Sequence, residues 1–456
     1  MSFTDWPWRV WRQQRGDAIA LRLAAETLTW RQLCQQVDAL AAGFFAQGVE
    51  SGTGVALRGK NSPQMLLCWL ALLQCGARIL PLNPQLPDSM LTRLLPGLSL
   101  SFGLALAETP AVPGLAPLIP QPRDGQHQAD WDATRLVSMT LTSGSTGLPK
   151  AAVHSAAAHL ASAAGVIRLM GFTADDSWLL SLPLFHVSGQ GILWRWLQAG
   201  ATLVVRPMHP LEGALQGCTH ASLVPTQLWR LLENNPQSLD LKAVLLGGAA
   251  IPVALTDQAE SGGICCFCGY GLTEFASTVC AKPADGKPDV GTALAGREVR
   301  IVDGEVWLRA ASMAAGYWRD GKLAPLTNAE GWFATRDRGR LDQGILTIIG
   351  RLDNLFFSAG EGIQPEDVER VIIGHPAVHQ VFVVPIADRE FGQRPVAVVE
   401  CDPDFAPGQL ADWLAGKLAR FQLPVHWLRL PEGLKTGGIK ISRRALQTWV
   451  AQQLAG

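Results

Sequence analysis

Apolar positions along the chain switch between two periods. Leu33–Phe45, "LCQQVDALAAGFF", spaces them as a helix does, with Gly48 as a stop. Val55–Gly59 reads as a short strand, Met65–Gln74 as a second helix and Ala77–Leu82, "ARILPL", as a buried strand. Further strands are predicted at Val137–Leu141, Trp178–Leu182, Ala201–Val205, Ala221–Val224 and Ala243–Leu246, with helical segments between most of them. Strands alternating with helices predict an α/β fold with mostly parallel sheets. The Pro-rich Ala107–Asp132 reads as an irregular surface connection.

After Gly350 the pattern restarts. "QPEDVERVIIGHP" predicts a helix with proline and acids in its first turn. "HQVFVVPI" and "RPVAVVE" predict strands, and "QLADWLAGKLARF" a second helix. This α+β unit has about a hundred residues, the size of a separate domain. The expected division is therefore 1–352 and 353–456, joined at Gly350–Asp353.

Composition narrows the function classes. Of 456 residues, 48% are apolar and 17% charged, with a net charge of −1 and no basic run. That describes a compact chain without the electrostatic footprint of a nucleic-acid binder. The most apolar stretch, Met65–Leu73, is too short to span a bilayer, and the N-terminus has no apolar signal core. Nine scattered cysteines, an odd number, fit a reducing compartment, so a cytoplasmic enzyme is expected. A homo-oligomer is compatible with this composition.

Four motifs carry candidate chemistry. Thr140–Lys150, "TLTSGSTGLPK", offers glycine-exposed backbone donors, hydroxyls and one lysine, a set suited to phosphate. It is not a Walker A loop, because Pro149 precedes the lysine and Ala151 follows it. "GYGLTE", Gly269–Glu274, sets an aromatic ring, a hydroxyl and a carboxylate at a strand end, suited to base stacking, a phosphate contact and Mg²⁺. Trp332–Glu369 holds Asp337, Arg351 and Asp353, and aspartate is the usual partner of ribose hydroxyls. "LKTGGIKISRR", Leu434–Arg444, sets lysines on a glycine-containing segment. Singly, each also reads as a polar turn, a capped strand end, a linker or a solvated tail.

In their order and spacing, with "VLLGGAAIP" (Val244–Pro252) between the first two, the motifs resemble the adenylate-forming acyl-CoA synthetase superfamily. "LTWRQL", "PLFHVSG", "LVPTQL", "GYW" and "EFGQRPVAVV" also fall where that superfamily has counterparts, so the resemblance covers essentially the whole chain. It implies a large N-terminal domain and a small mobile lid. It implies that Thr142, Ser143, Gly144, Ser145, Thr146, Gly147 and Lys150 hold the β- and γ-phosphates of ATP. Gly247, Gly248 and Ala249 would border the adenine, with Tyr270 stacked on it and Gly271 beside it. Thr273 would touch the α-phosphate, Glu274 hold Mg²⁺, and Asp337 and Arg351 take the ribose. Asp353 would be the hinge, Lys440 the adenylation lysine, and the Gly360 segment would line the tunnel for coenzyme A. Ile439 stands where the superfamily usually has glycine, which leaves Lys435 as a weaker rival to Lys440.

The reaction so implied activates a carboxylate as an acyl-adenylate, then passes the acyl group to a thiol. Mg²⁺, Lys440 and backbone donors would stabilise the charge that builds on phosphorus. The acid should be read between Pro183 and Tyr270. His186 matches a position flanking the acyl pocket, and Ser222 and Gly269 are candidate wall residues. Gly191 and Arg195 stand four apart on one helical face. If that face lines the pocket, the guanidinium calls for a second carboxylate or a keto oxygen; the other reading is a surface arginine between two tryptophans. In "SGQGILWRWLQAG" and "ASLVPTQLWRLL" the chain is similar to the branch acting on o-succinylbenzoate, an aromatic keto-dicarboxylate, in menaquinone biosynthesis. Alternatives are a ligase for benzoate, a cinnamate or a medium-chain acid, a carrier-loading adenylation domain, or a non-catalytic nucleotide binder, against which Glu274 and Lys440 argue.

Overall fold

The computed structural model describes residues 3–142, 149–233, 239–435 and 441–454. Helices form where the pattern places them, and local caps set their starts. The first predicted helix runs Trp30–Phe45, because Thr29 and Gln32 form a reciprocal capping box. The next, Pro63–Gln74, is capped by the Ser62 hydroxyl on the Met65 amide at 3.0 Å.

Two large sheets organise the N-terminal part. The first has nine strands. Its centre is parallel, in the order Cys265–Leu272, Ala243–Leu246, His220–Leu223, Ser177–Leu179, Thr202–Val204 and Ile19–Arg22. Antiparallel strands close both edges. The second has eight strands, and Leu136–Thr142 joins its parallel half to the antiparallel Lys150–Ser155 and Gly316–Arg319. Helices Ala156–Met170 and Val187–Ala199 pack on each other between these layers, which is the α/β architecture expected. Trp6, Trp8 and Trp11 are buried against the large domain: Trp8 donates to Gln74 at 2.9 Å and Trp11 to the Leu197 carbonyl at 2.7 Å.

Two details differ from the sequence reading. Strands Arg297–Val302, Glu305–Ala310, Phe333–Asp342 and Ile345–Arg351 form a separate, wholly antiparallel four-stranded sheet. Its tight turns are Asp303-Gly304 and Gln343-Gly344, each with positive φ at both residues, the geometry that matches strand twist in a hairpin. The helix predicted over "QLADWLAGKLARF" stops at Leu414, because the chain turns through Gly416 at φ +76° and resumes only as a short 3₁₀ turn, Arg420–Gln422.

The C-terminal part is built on a three-stranded sheet, Val378–Asp388, Gly392–Cys401 and His426–Arg429. Alternate residues cover its two faces. Val383, Ala397 and Val399 pack under helix Pro365–Ile372, and Val384, Val396 and Val398 under helix Arg443–Leu454. No helix among the described residues is long and apolar enough to cross a membrane.

Candidate active site

Gly247–Ala249 and Gly269–Glu274 lie at the carboxyl ends of two adjacent parallel strands, where open α/β sheets bind ligands. Strand Ala243–Leu246 runs into Gly247–Ala249, with Gly248 at φ +84°, a conformation that favours glycine. Strand Cys265–Leu272 carries Gly269, Tyr270 and Gly271, and its register shifts between the last two. A side chain on Gly271 would start 1.8 Å from the Ser277 carbonyl, so only glycine lets the two strands close there. The strand ends in the 3₁₀ turn Thr273–Phe275, which presents Thr273 and Glu274.

The chain has two tyrosines, and each donates its phenol to a carboxylate of the site. Tyr270 donates to Asp337 at 2.5 Å. Cross-strand pairing places Arg351 opposite Asp337, where it donates to the other carboxylate oxygen at 3.1 Å. Arg351 also reaches Asp353 at 3.1 Å, and Arg336 reaches Asp353 at 2.7 Å. Tyr270, Asp337, Arg351 and Asp353 are therefore one hydrogen-bonded cluster. Burial, then the Asp337 charge, pushes the Tyr270 phenol well above its usual range. Burial works against ionisation of Asp353, but hydrogen bonds from Arg336 and Arg351 outweigh it and hold the carboxyl below its usual range.

Tyr317 donates to Glu274 at 2.6 Å, and burial followed by the Glu274 charge raises its phenol. The Lys150 ammonium lies 5.0 Å from the Tyr317 ring centroid, and Lys150 pairs in register with Thr142. Thr142, Lys150, Tyr317 and Glu274 thus form a second contiguous group. Ser143, Gly144, Ser145, Thr146, Gly147 and Lys440 lie outside the described residues, as does the Lys435 side chain. Among the described residues no three potential metal ligands cluster. A single carboxylate, Glu274, fits Mg²⁺ held largely by substrate phosphates rather than by a protein cage.

His186 precedes helix Val187–Ala199, next to Phe185 with ring centroids 4.8 Å apart. Arg195 on that helix is not a surface arginine: it is 1% exposed. Its Nη2 lies 3.0 Å from where a side chain on Gly191 would start, so the two share a face as their spacing implies. Nη1 donates to the Ser222 hydroxyl at 3.3 Å, and Nε has no partner among the described residues. Burial, and secondarily the Arg297 charge, brings the Arg195 pKa down to about 9. Arg297 is buried too, and among the described residues its hydrogen bonds go to the carbonyls of Thr278, Ala295, Ser162 and Ala161. Among the described residues no carboxylate forms an ion pair with either guanidinium. Two buried cations without an anion describe a place that a negatively charged group would stabilise. Gly360 stands in the small domain at φ +83°, between strands Phe356–Ser358 and Glu361–Ile363, with nothing within 4 Å of where a side chain would start.

Sequence reading missed Tyr317 and Arg297. The rarity of tyrosine was a signal for the first; nothing local marks the second.

Comparison with known proteins bears on the same regions. The AMP-binding enzyme family model matches residues 8–318, and the AMP-binding enzyme C-terminal domain matches 367–455. The 2-succinylbenzoate–CoA ligase of Salmonella typhimurium is 67% identical over 452 residues, covering 99% of each chain. Among solved structures, a single-residue variant of E. coli MenE with bound OSB-AMS superposes with a TM-score of 0.96 at 66% identity, covering 99% of this chain and 100% of that one. MenE from Bacillus subtilis in complex with ATP and magnesium gives 0.82 at 25% identity, covering 93% and 96%.

Proposed function

We propose, from the premise that the chain belongs to the AMP-binding enzyme family, that it joins 2-succinylbenzoate (o-succinylbenzoate) to coenzyme A. It uses ATP, releases diphosphate on forming an acyl-adenylate, and releases AMP on forming the thioester. The product is o-succinylbenzoyl-CoA, a step of menaquinone biosynthesis.

One observation carries the choice of acid: Arg195 is buried, has no carboxylate partner among the described residues, and is held by Ser222 beside Gly191. A second carboxylate on the substrate supplies the missing charge, and the carboxylate of the succinyl arm is the one activated. Benzoates with a single carboxylate, or fatty acids, leave that cation unpaired.

The chain's own groups divide the rest of the reaction. Asp337 and Arg351 take the ribose hydroxyls, and Tyr270 lies on the adenine bordered by Gly247, Gly248 and Ala249. Thr273 and the Thr142–Lys150 segment hold the phosphates. Glu274, oriented by Tyr317, would hold Mg²⁺, which when bound supplies positive charge to the phosphates. Lys440 neutralises charge at the α-phosphate as the carboxylate attacks. No cysteine is needed as a nucleophile; eight of the nine free thiols are buried.

Residues 353–456 act as a lid that turns about Asp353 between half-reactions, bringing the Gly360 segment to the pantetheine path. Asp353 suits a hinge, because two arginines of the preceding sheet, Arg336 and Arg351, grip it. Free thiols throughout support a cytoplasmic location, and a homo-oligomer is compatible with this reading.

The test is diphosphate–ATP exchange over a panel of aromatic and aliphatic acids, followed by coenzyme A. Exchange with 2-succinylbenzoate and appearance of its thioester are expected. Exchange with benzoates but not with 2-succinylbenzoate overturns the substrate, and exchange without free thioester points to a carrier-loading domain.

A further inference from the structure

Arg195 raises a physical problem. A buried guanidinium must be held in place, yet a carboxylate partner would occupy the donors that a substrate needs. The structure answers with aromatic rings. The Arg195 Cζ lies 5.1 Å over the Trp178 ring centroid. Trp178 stacks with His220 at 5.3 Å and 29°, and Phe172 meets both edge-on at 4.9 Å. All three rings are buried.

Strand register explains the grouping. Trp178 and His220 are paired across adjacent parallel strands. Ser222 lies two residues beyond His220 on its strand, so it projects from the same face. That face meets helix Val187–Ala199, which brings Arg195 onto Trp178 and Ser222 together. Ser222 fixes Nη1, while Nε has no hydrogen-bond partner among the described residues. An indole face attracts a cation without using any of its N–H donors. His220 bonds its Nδ1 to the Thr219 hydroxyl at 2.9 Å, and burial lowers its pKa, so the ring beside Trp178 stays neutral and does not repel Arg195.

We infer that Trp178, braced by His220, is a positioning residue that holds the Arg195 guanidinium in place without occupying its donors, and that this platform sets the preference for a dicarboxylic acid. The inference rests on the reading that Arg195 receives the second carboxylate. Neither Trp178 nor His220 touches the reacting atoms; both act through Arg195.

The experiment is a double-mutant cycle on the full-length enzyme: Trp178→Leu, Arg195→Ala and both together. It reads the KM for 2-succinylbenzoate and for ATP, with thermal unfolding to confirm folded protein. Trp178→Leu is expected to raise the acid's KM about tenfold to thirtyfold, the scale of a desolvated cation–π contact, and to change the ATP KM by less than about twofold. In the Arg195→Ala background the same change is expected to add nothing. Should Trp178→Leu not fold, Trp178→Phe is read in the same cycle; its weaker face predicts a rise of about threefold, again confined to the acid. A rise shared equally with ATP, or one that persists without Arg195, overturns the platform. If Arg195→Ala leaves the acid's KM unchanged, the underlying substrate reading fails. If Arg195→Ala raises that KM and neither Trp178 variant does, only the platform fails.

Discussion

Tyr317→Phe isolates one hydrogen bond. The phenol donates to Glu274 at 2.6 Å, and the same ring lies 5.0 Å from the Lys150 ammonium. Phenylalanine keeps the ring and removes only the donor. A hydrogen bond to a charged acceptor contributes about 1.5–3 kcal/mol. Both residues are half-buried, so solvent replaces part of the loss and the lower figure applies. About 1.5 kcal/mol corresponds to roughly a tenfold fall in kcat/KM for Mg-ATP. Glu274 loses its fixed orientation, so the deficit belongs to adenylation. The assay is diphosphate–ATP exchange at saturating acid over a range of Mg²⁺ and ATP, beside thioester formation from preformed acyl-adenylate. The acid's KM and the second half-reaction should both stay within about twofold of the parent enzyme. Equal loss in the two half-reactions, or no loss in exchange, refutes the assignment of Tyr317 as the orienting group.

Three further outcomes are expected. Lys440→Ala should suppress adenylate formation far more than thioester formation from preformed acyl-adenylate; equal suppression would remove the two-state use of the lid. Tyr270→Phe takes a donor from Asp337 and should weaken ATP binding without moving the acid's KM, as measured by isothermal titration with a non-hydrolysable ATP analogue. The buried pair His154 and His159 should make stability pH-dependent. Burial pushes His154 down to about 4 and His159 well below its ordinary value, so both are neutral in the folded chain. Unfolded imidazoles protonate near about 6.5. Stability is therefore full above that pH and falls as pH drops from 6.5 towards 4, by at most about 1.4 kcal/mol per unit for each histidine. Urea unfolding at pH 7.5 and 5.5 measures the fall, and equal stabilities at the two pH values refute it.

Much of the architecture was legible because it is local. Alternating apolar periods located most of the parallel strands of the two large sheets, the two long strands of the small domain and several helices to within a few residues. Capping then extended the first helix back to Trp30, and Gly416 cut the last predicted one short. The candidate site was legible where a motif is contiguous, as in Gly269–Glu274. It was not legible where a partner comes from afar. Tyr317 reaches Glu274 across 43 residues, and Tyr270 reaches Asp337 across 67. The place of His220 beside Trp178 comes from strand pairing.

The sequence by itself determined the order of motifs: a glycine- and hydroxyl-rich segment ending at Lys150, a strand-end carboxylate at Glu274, the Asp337–Arg351–Asp353 group and a late lysine. It also determined that Gly191 and Arg195 share a helical face, since 3.6 residues per turn leaves no other arrangement. Only the tertiary structure decided that this face points inward. Spacing says which side chains are neighbours on one element, but burial and charge pairing depend on what the other elements place opposite. Opposite Arg195 the sheet places an indole and a hydroxyl, with no carboxylate among the described residues. In the function proposed, a cation kept out of water and without an anion among the described residues is what turns a shared helical face into a preference for an acid with two carboxylates.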